Sequence, residues 1–332
     1  MHRSPVSGPD RMPVEGDVTR VFQHAGHRFE VAAGTRVGHR YRANFDVLHV
    51  DPKLPFVAVA DGMGDGRGST VAGDTAMETI VAAVRAAAPD IGPARLRAAV
   101  AEAQSRVRAA GLELGELTGC TFTGLIGAPE TQAYGDRGQS AGGVAYGSAG
   151  VYPVDATGRP DSADTGPGTW SARSAPMART APVSGPPGPT APAPPDEAYA
   201  WIVQIGDSRA YRLRDGLLEL LTVDHTAAWL GAVYGWYPAD SAAAAAARYQ
   251  LTRYVGHPSA PEPDLLHVSL RPGDVYCLCT DGVAEQLDYQ RLASRLGGAG
   301  SPGESVRGIL ADTLAAGGRD NATLAVLRVQ SR

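Results

Sequence analysis

Four aspartates share one kind of neighbourhood. Asp61 follows the apolar run 56–60 as Asp-Gly, and Asp281 follows 275–280 in the same way. Asp207 sits in Gly-Asp-Ser-Arg, Asp320 stands just before the apolar stretch 322–329, and Asp46 precedes another such run at 47–50. Taken singly, an Asp-Gly step is an ordinary turn former. Carboxylates gathered at strand ends are different, because like charges repel at short range unless cations neutralise them. Oxygen donors with no histidine or cysteine beside them select hard ions such as Mg²⁺ or Mn²⁺ over zinc. Two such ions bridged by one carboxylate would hold a water, lower its pKa and neutralise phosphoryl oxygens in the transition state, which is the chemistry of phosphoester hydrolysis.

For this chemistry the aspartates must meet, and the pattern of elements allows it. Short apolar runs at 47–50 and 56–60 read as two strands joined by a tight connection. Alanine-rich sequence over 69–88 and 93–112 carries apolar residues at helical spacing, with Ser69 and Pro93 suited to helix starts. Strands are expected at 120–126 and 200–205. A helix is expected over 240–256, strands at 266–270 and 275–280, a short helix at 305–315 and a last strand at 322–329. Strands grouped rather than alternating with helices favour an antiparallel α+β layer architecture over a doubly wound parallel sheet. In an antiparallel sheet the end of one strand lies beside the start of its neighbour, so Asp61, Asp281 and Asp320 can share one rim.

Two stretches lie outside this pattern. Residues 1–16 are polar and aperiodic and read as a disordered lead. Residues 128–197 are rich in glycine, serine, alanine and proline, with eleven of the chain's 25 prolines between Pro153 and Pro195. That composition argues for a disordered insertion in a single domain over 17–330. Its cluster Pro186-Pro187-Gly188-Pro189 suits either a plain linker or an extended segment for a partner domain.

Composition excludes several classes. The formal net charge is −5 and there is no basic run, which argues against nucleic acid or an anionic membrane as partner, and so against a nuclease using the same carboxylates. Cys120, Cys277 and Cys279 form an odd set without metal or redox spacing and read as buried thiols in a reducing compartment. With no signal-peptide core and no membrane span in the sequence, a cytoplasmic location is expected.

In order along the chain, Asn44-Phe45-Asp46, Val59-Ala60-Asp61-Gly62-Met63-Gly64, Thr118-Gly119-Cys120-Thr121, Ile205-Gly206-Asp207-Ser208-Arg209-Ala210-Tyr211, Leu221-Thr222-Val223-Asp224-His225, Cys279-Thr280-Asp281-Gly282 and Arg319-Asp320-Asn321 resemble the motifs of the type 2C, or PPM, metal-dependent serine/threonine protein phosphatases. The resemblance spans nearly the whole chain outside 128–197. It implies a four-layer αββα sandwich of two antiparallel sheets flanked by helices. It also implies two Mn²⁺ or Mg²⁺ ions at one end, a water between them as nucleophile, and phosphorylated proteins, a serine/threonine kinase or its targets, as partners. By the same analogy Asp61 bridges both metals, the Gly62 carbonyl binds one, and Asp281 with Asp320 completes the other. Asp207 would support a third, weaker metal or orient waters, and Asp46 would hold the nucleophilic water.

The chain departs from the family pattern in three places. Phe45 stands where the family usually has a glutamate, and Tyr41 where it has a phosphate-clamping arginine. Arg42, or Arg40, is the candidate stand-in for that arginine, beside the plain reading of a solvated surface residue. The loop after Asp61 lacks a histidine, so no general acid is identified, and His225 reads as a hydrogen-bonded turn residue. These departures keep open a rival class, a pseudophosphatase that acts as a regulatory binding module.

Overall fold

The computed structural model describes residues 16–88, 90–128, 198–238 and 240–331. The expectations of disorder for the lead and for the insertion fall almost wholly outside those residues. The chain opens with a hairpin, β1 (Gly16–His24) and β2 (His27–Arg36), followed by β3 (Asp46–Val50) and β4 (Phe56–Asp61). Helices α1 (Arg67–Ala87) and α2 (Pro93–Leu114) come next, then β5 (Phe122–Ala128) and β6 (Ala198–Ile205). Strands β7 (Arg209–Arg214) and β8 (Leu217–Leu220) lead to α3 (Ala227–Tyr234) and α4 (Ala242–Ala247). The remainder is β9 (Asp264–Leu270), β10 (Val275–Cys279), α5 (Asp281–Ala284), α6 (Tyr289–Gly297), α7 (Pro302–Ala315) and β11 (Ala322–Gln330).

These strands form two antiparallel sheets, one ordered β1-β2-β11-β10-β7-β8 and the other β3-β4-β5-β6-β9. The expected sandwich of two sheets flanked by helices is therefore present. Alternation along each strand sorts the side chains into layers. From β4, Phe56, Ala58 and Ala60 face α1 and α2, whereas Val57 and Val59 face the other sheet. From β10, Tyr276 and Leu278 enter the layer between the sheets, whereas Val275, Cys277 and Cys279 pack under α6 and α7. With both faces covered, β10 is apolar throughout and β4 is apolar up to Asp61, which is why their sequences show no polar alternation. The three thiols are buried and free, as the sequence suggested.

Local signals set the helix ends. Pro93 opens α2, and Gly115 closes it in the left-handed region at φ 66°. At α7 the Ser301 hydroxyl accepts from the Glu304 amide while Glu304 reaches back to the Ser301 amide, a complete capping box. Elsewhere the expectations need correction. The helix expected over 240–256 is only α4, because the chain leaves it to form bridges from Leu251 to Thr226 and from the fully buried Val255 to Cys120. Tertiary pairing outweighs alanine's helix propensity there. The hairpins β1–β2 and β7–β8 and the helices α3, α5 and α6 were not anticipated. Among the described residues no helix is long and apolar enough to cross a membrane.

Leu278 is fully buried between the sheets. Leu278→Ala is expected to lower the unfolding free energy by about 2–5 kcal/mol in a urea titration. A loss below about 1 kcal/mol would mean that the layer between the sheets closes over the cavity.

Candidate functional site

Antiparallel pairing sends the strand ends that carry the motifs to one end of the sandwich. Asp46 and Asp61 are direct cross-strand partners at the last pair of β3 and β4. Cys279 pairs with Leu324 on β11 and with Arg209 on β7, so Asp281, Asp320 and Asp207 all emerge at the same end of the second sheet. A cavity of ≈ 220 Å³ opens there. It is lined by Asp61, Asp207, Asp281 and Asp320, by Gly62, Met63 and Gly64, and by Tyr41, Phe45, Tyr249, Leu251 and Asn321. The four motif aspartates thus meet, together with the glycine whose carbonyl the resemblance assigns to a metal. Asp46 stands just behind them. Arg42 is exposed and is not among the lining residues.

Neutral hydrogen bonds hold these carboxylates. The Thr280 hydroxyl donates to Asp46 Oδ2 at 2.9 Å, and Thr280 Oγ1 accepts from the Thr323 amide at 3.2 Å, tying β10 to β11 and β3. The Asp61 amide donates to Thr121 Oγ1 at 2.9 Å, and that hydroxyl meets Ser208 Oγ at 2.7 Å, linking the two sheets beneath Asp61 and Asp207. Asn321 clamps the loop before β3: its Oδ1 accepts from the Phe45 amide at 2.8 Å and its Nδ2 donates to Ala43 O at 3.2 Å. None of these supports was singled out from the sequence. Asn44, Thr121, Ser208, Thr280 and Asn321 do lie inside the motif blocks, and that was the available signal.

Glycine is required at two motif positions by close approach. A Cβ on Gly62 would lie 2.5 Å from Ser69 O and 2.8 Å from Phe45 O. One on Gly282 would lie 1.9 Å from Asn321 O, so the backbone after Asp281 can press against the Asp320 turn only without a side chain.

His225 has a structural position. Its Nδ1 accepts from the Gly206 amide at 3.1 Å, which leaves Nε2 as the protonated nitrogen facing Asp264 Oδ2 at 3.1 Å. Arg253 donates to Asp264 Oδ1 at 2.8 Å. Burial alone would raise the Asp264 pKa, but these hydrogen bonds and the Arg253 charge hold it down at about 2. Next to His225, Arg209 grips both oxygens of Asp224, with Nε to Oδ1 at 2.9 Å and NH2 to Oδ2 at 2.7 Å. This network fixes the Gly206-Asp207 turn from outside the cavity.

The electrostatics of the cluster are set first by burial and then by crowding. Burial and then the charges of Asp281, Asp46, Asp207 and Asp320 push the Asp61 carboxyl well above the ordinary range. Asp281 is raised by burial and by Asp207, Asp320 and Asp46. Burial pushes Asp46 up to about 7 against its hydrogen bonds, and pushes Asp207 up to about 7 with help from Asp224. Asp320 is raised by burial, with Arg40 pulling the other way. A site whose ionised form is this unfavourable by itself, and whose donors are all oxygen, fits a hard divalent cation. Among the described residues no three His, Cys, Asp or Glu side chains form a closed ligand set for a single ion. An open site, in which each ion keeps several waters, matches the way Mg²⁺ is commonly bound.

The described residues thus form a two-sheet sandwich with oxygen donors gathered at one end. No family model matches the chain. Among curated relatives it is 31% identical over 135 residues to a putative protein phosphatase 2C-type of Streptococcus pyogenes, covering 41% of this chain and 55% of that protein. It is 33% identical over 129 residues to the serine/threonine protein phosphatase PstP of Mycobacterium tuberculosis, covering 39% of this chain and 24% of PstP. The chain therefore spans about half the length of the first relative and about a quarter of the second. Among solved structures, the PPM Ser-Thr phosphatase MsPP from Mycobacterium smegmatis, in complex with cacodylate, superposes with a TM-score of 0.62 at 25% identity, covering 90% of this chain and 97% of that one. The catalytic domain of PstP in complex with 2 manganese ions superposes with a TM-score of 0.59 at 24% identity, covering 91% and 98%. The chain resembles the type 2C (PPM) serine/threonine phosphatases in sequence and has their fold.

The raised carboxyls carry a pH signature. Between about 4, where free aspartates ionise, and about 7, the folded metal-free protein holds protons that the unfolded chain has lost. Their contribution to stability is full below that window and is lost as pH rises through it. The melting temperature of the metal-free protein is therefore expected to be lowered by these groups from pH 5 to pH 8, while the stabilisation added by Mn²⁺ grows over the same range as the metal displaces protons. Calorimetry at several pH values with EDTA or Mn²⁺ reads both trends. A Mn²⁺ effect independent of pH would argue against the cluster as the metal site.

Proposed function

We propose that the chain is a metal-dependent protein phosphatase that hydrolyses phosphoserine and phosphothreonine on proteins. The observation that carries this reading is the meeting of Asp61, Asp207, Asp281 and Asp320 around one open cavity. In this reading Asp61 would be the ligand shared by two Mn²⁺ or Mg²⁺ ions, the Gly62 carbonyl would hold one, and Asp281 with Asp320 would hold the other. Asp207 would hold a third, weaker ion or orient waters. When bound, the ions supply charge neutralisation for the phosphoryl group and an acidified water as nucleophile. The chain's own part is to aim these groups. Asp46, fixed by Thr280, lies behind Asp61 where it can accept a hydrogen bond from the nucleophilic water. Arg40 and Arg42, exposed on either side of Tyr41, would draw an anionic substrate toward the mouth, with Arg42 as the proposed phosphate clamp.

The solved relative holding two manganese ions and the one holding cacodylate support two-metal, phosphate-like chemistry for this cavity. The curated relatives, named as protein phosphatases, support phosphorylated proteins as substrates; a serine/threonine kinase or its targets is the proposed partner.

Purified protein is expected to hydrolyse p-nitrophenyl phosphate and a phosphothreonine peptide with Mn²⁺ or Mg²⁺ and to stop in EDTA. Asp281→Ala is expected to lower turnover by more than about 100-fold. Folded protein that binds Mn²⁺ but turns over neither substrate would replace this reading by the regulatory binding module, with Phe45→Glu as the reversion to test.

A further inference from the structure

The side chains lining the cavity include no lysine or arginine. A phosphoryl group entering it would meet carboxylates, apolar surface and backbone, and few side-chain protons. Asn321 is committed at both ends, accepting from the Phe45 amide and donating to Ala43 O. Tyr249 is 74% exposed and sits at the outer edge. Tyr41 is the remaining donor. Its backbone amide donates to Gly38 O at 3.0 Å, and its ring stands edge-on to Phe45, with centroids 5.8 Å apart and planes at 79°. Among the described residues its hydroxyl has no hydrogen-bond partner.

The phenol end lies within electrostatic reach of the site. Burial first, then Asp320, Asp61 and Asp281, raise the Tyr41 pKa from its already high ordinary value, with Arg40 acting in the opposite sense. The hydroxyl therefore keeps its proton throughout the neutral range. Two of the three places where the chain departs from the family motifs, Tyr41 and Phe45, are thus in contact, and they form one aromatic wall of the cavity.

We propose that Tyr41 is a catalytic residue whose hydroxyl donates a hydrogen bond to a nonbridging oxygen of the phosphoryl group bound in the cavity. The inference rests on the phosphatase reading of that cavity. The donor is neutral, so it leaves the charge of the carboxylate cluster unchanged. Phe45 orients the ring by packing and offers the hydroxyl no acceptor. The hydrogen bond costs the phenol no proton, so it can serve any chemical step that leaves negative charge on phosphoryl oxygen.

The test is binding of inorganic phosphate to the Mn²⁺-loaded full chain by calorimetry, for the native protein, Tyr41→Phe and Tyr41→Arg, with Mn²⁺ affinity measured on each. Tyr41→Phe is expected to weaken phosphate binding by about 10- to 100-fold while Mn²⁺ affinity stays within about twofold of native. Tyr41→Arg, which restores a donor, is expected to keep phosphate affinity. The proposal is overturned if Tyr41→Phe binds phosphate as the native protein does, if it loses Mn²⁺ in parallel with phosphate, or if the native protein binds no phosphate. Should the native protein hydrolyse neither test substrate while Tyr41→Phe still weakens phosphate binding, the phosphatase reading falls and the role of Tyr41 in anion binding stands.

Discussion

Like charges held close together in a partly buried place are the constraint around which this molecule is arranged. Burial raises the pKa values of Asp46, Asp61, Asp207, Asp281 and Asp320, and for Asp46, Asp61 and Asp281 the neighbouring aspartates of the cluster add to the effect. A loop-built site would relieve that repulsion by moving apart. Here each carboxylate is fixed at the end of a strand or on the turn that follows it, and the strands are packed on both faces. The stiffness of a close-packed interior keeps the charges together, and the free energy so stored is available to a cation.

The supports of the site are mainly neutral. Thr280, Thr121, Ser208 and Asn321 supply hydrogen bonds that orient carboxylates and loops without adding charge to the cluster. The strong ion pairs lie outside it. Arg209 with Asp224, and Arg253 with Asp264 beside His225, brace the turn that carries Asp207. The aromatic pair Tyr41 and Phe45 forms a wall that leaves the carboxylates uncompensated.

Much of this arrangement was legible in the sequence because motif residues and strand ends coincide. Asp61, Asp207, Asp281 and Asp320 were marked by short apolar runs beside Gly-Asp or Asp-Gly steps, and they do line one cavity. The antiparallel architecture followed from the grouping of strands and helices. The errors share a cause. Residues 240–256 looked helical because alanine favours helix locally, but Val255 is needed in a bridge to Cys120 at the rim. The hairpin β1–β2 was missed because β2 is buried along most of its length and shows little alternation.

Residue type and spacing by themselves determined the chemistry available to this chain: hard oxygen donors at the ends of strands, in an order that matches one family. Only tertiary structure decided which groups face one another. Nothing along residues 40–45 says that Tyr41 and Phe45, rather than Arg42, turn toward the carboxylates, or that Asn321, far away in the chain, clamps the loop that carries them. Those choices depend on two sheets meeting at one end, and such contacts between distant segments leave no periodicity in the local sequence.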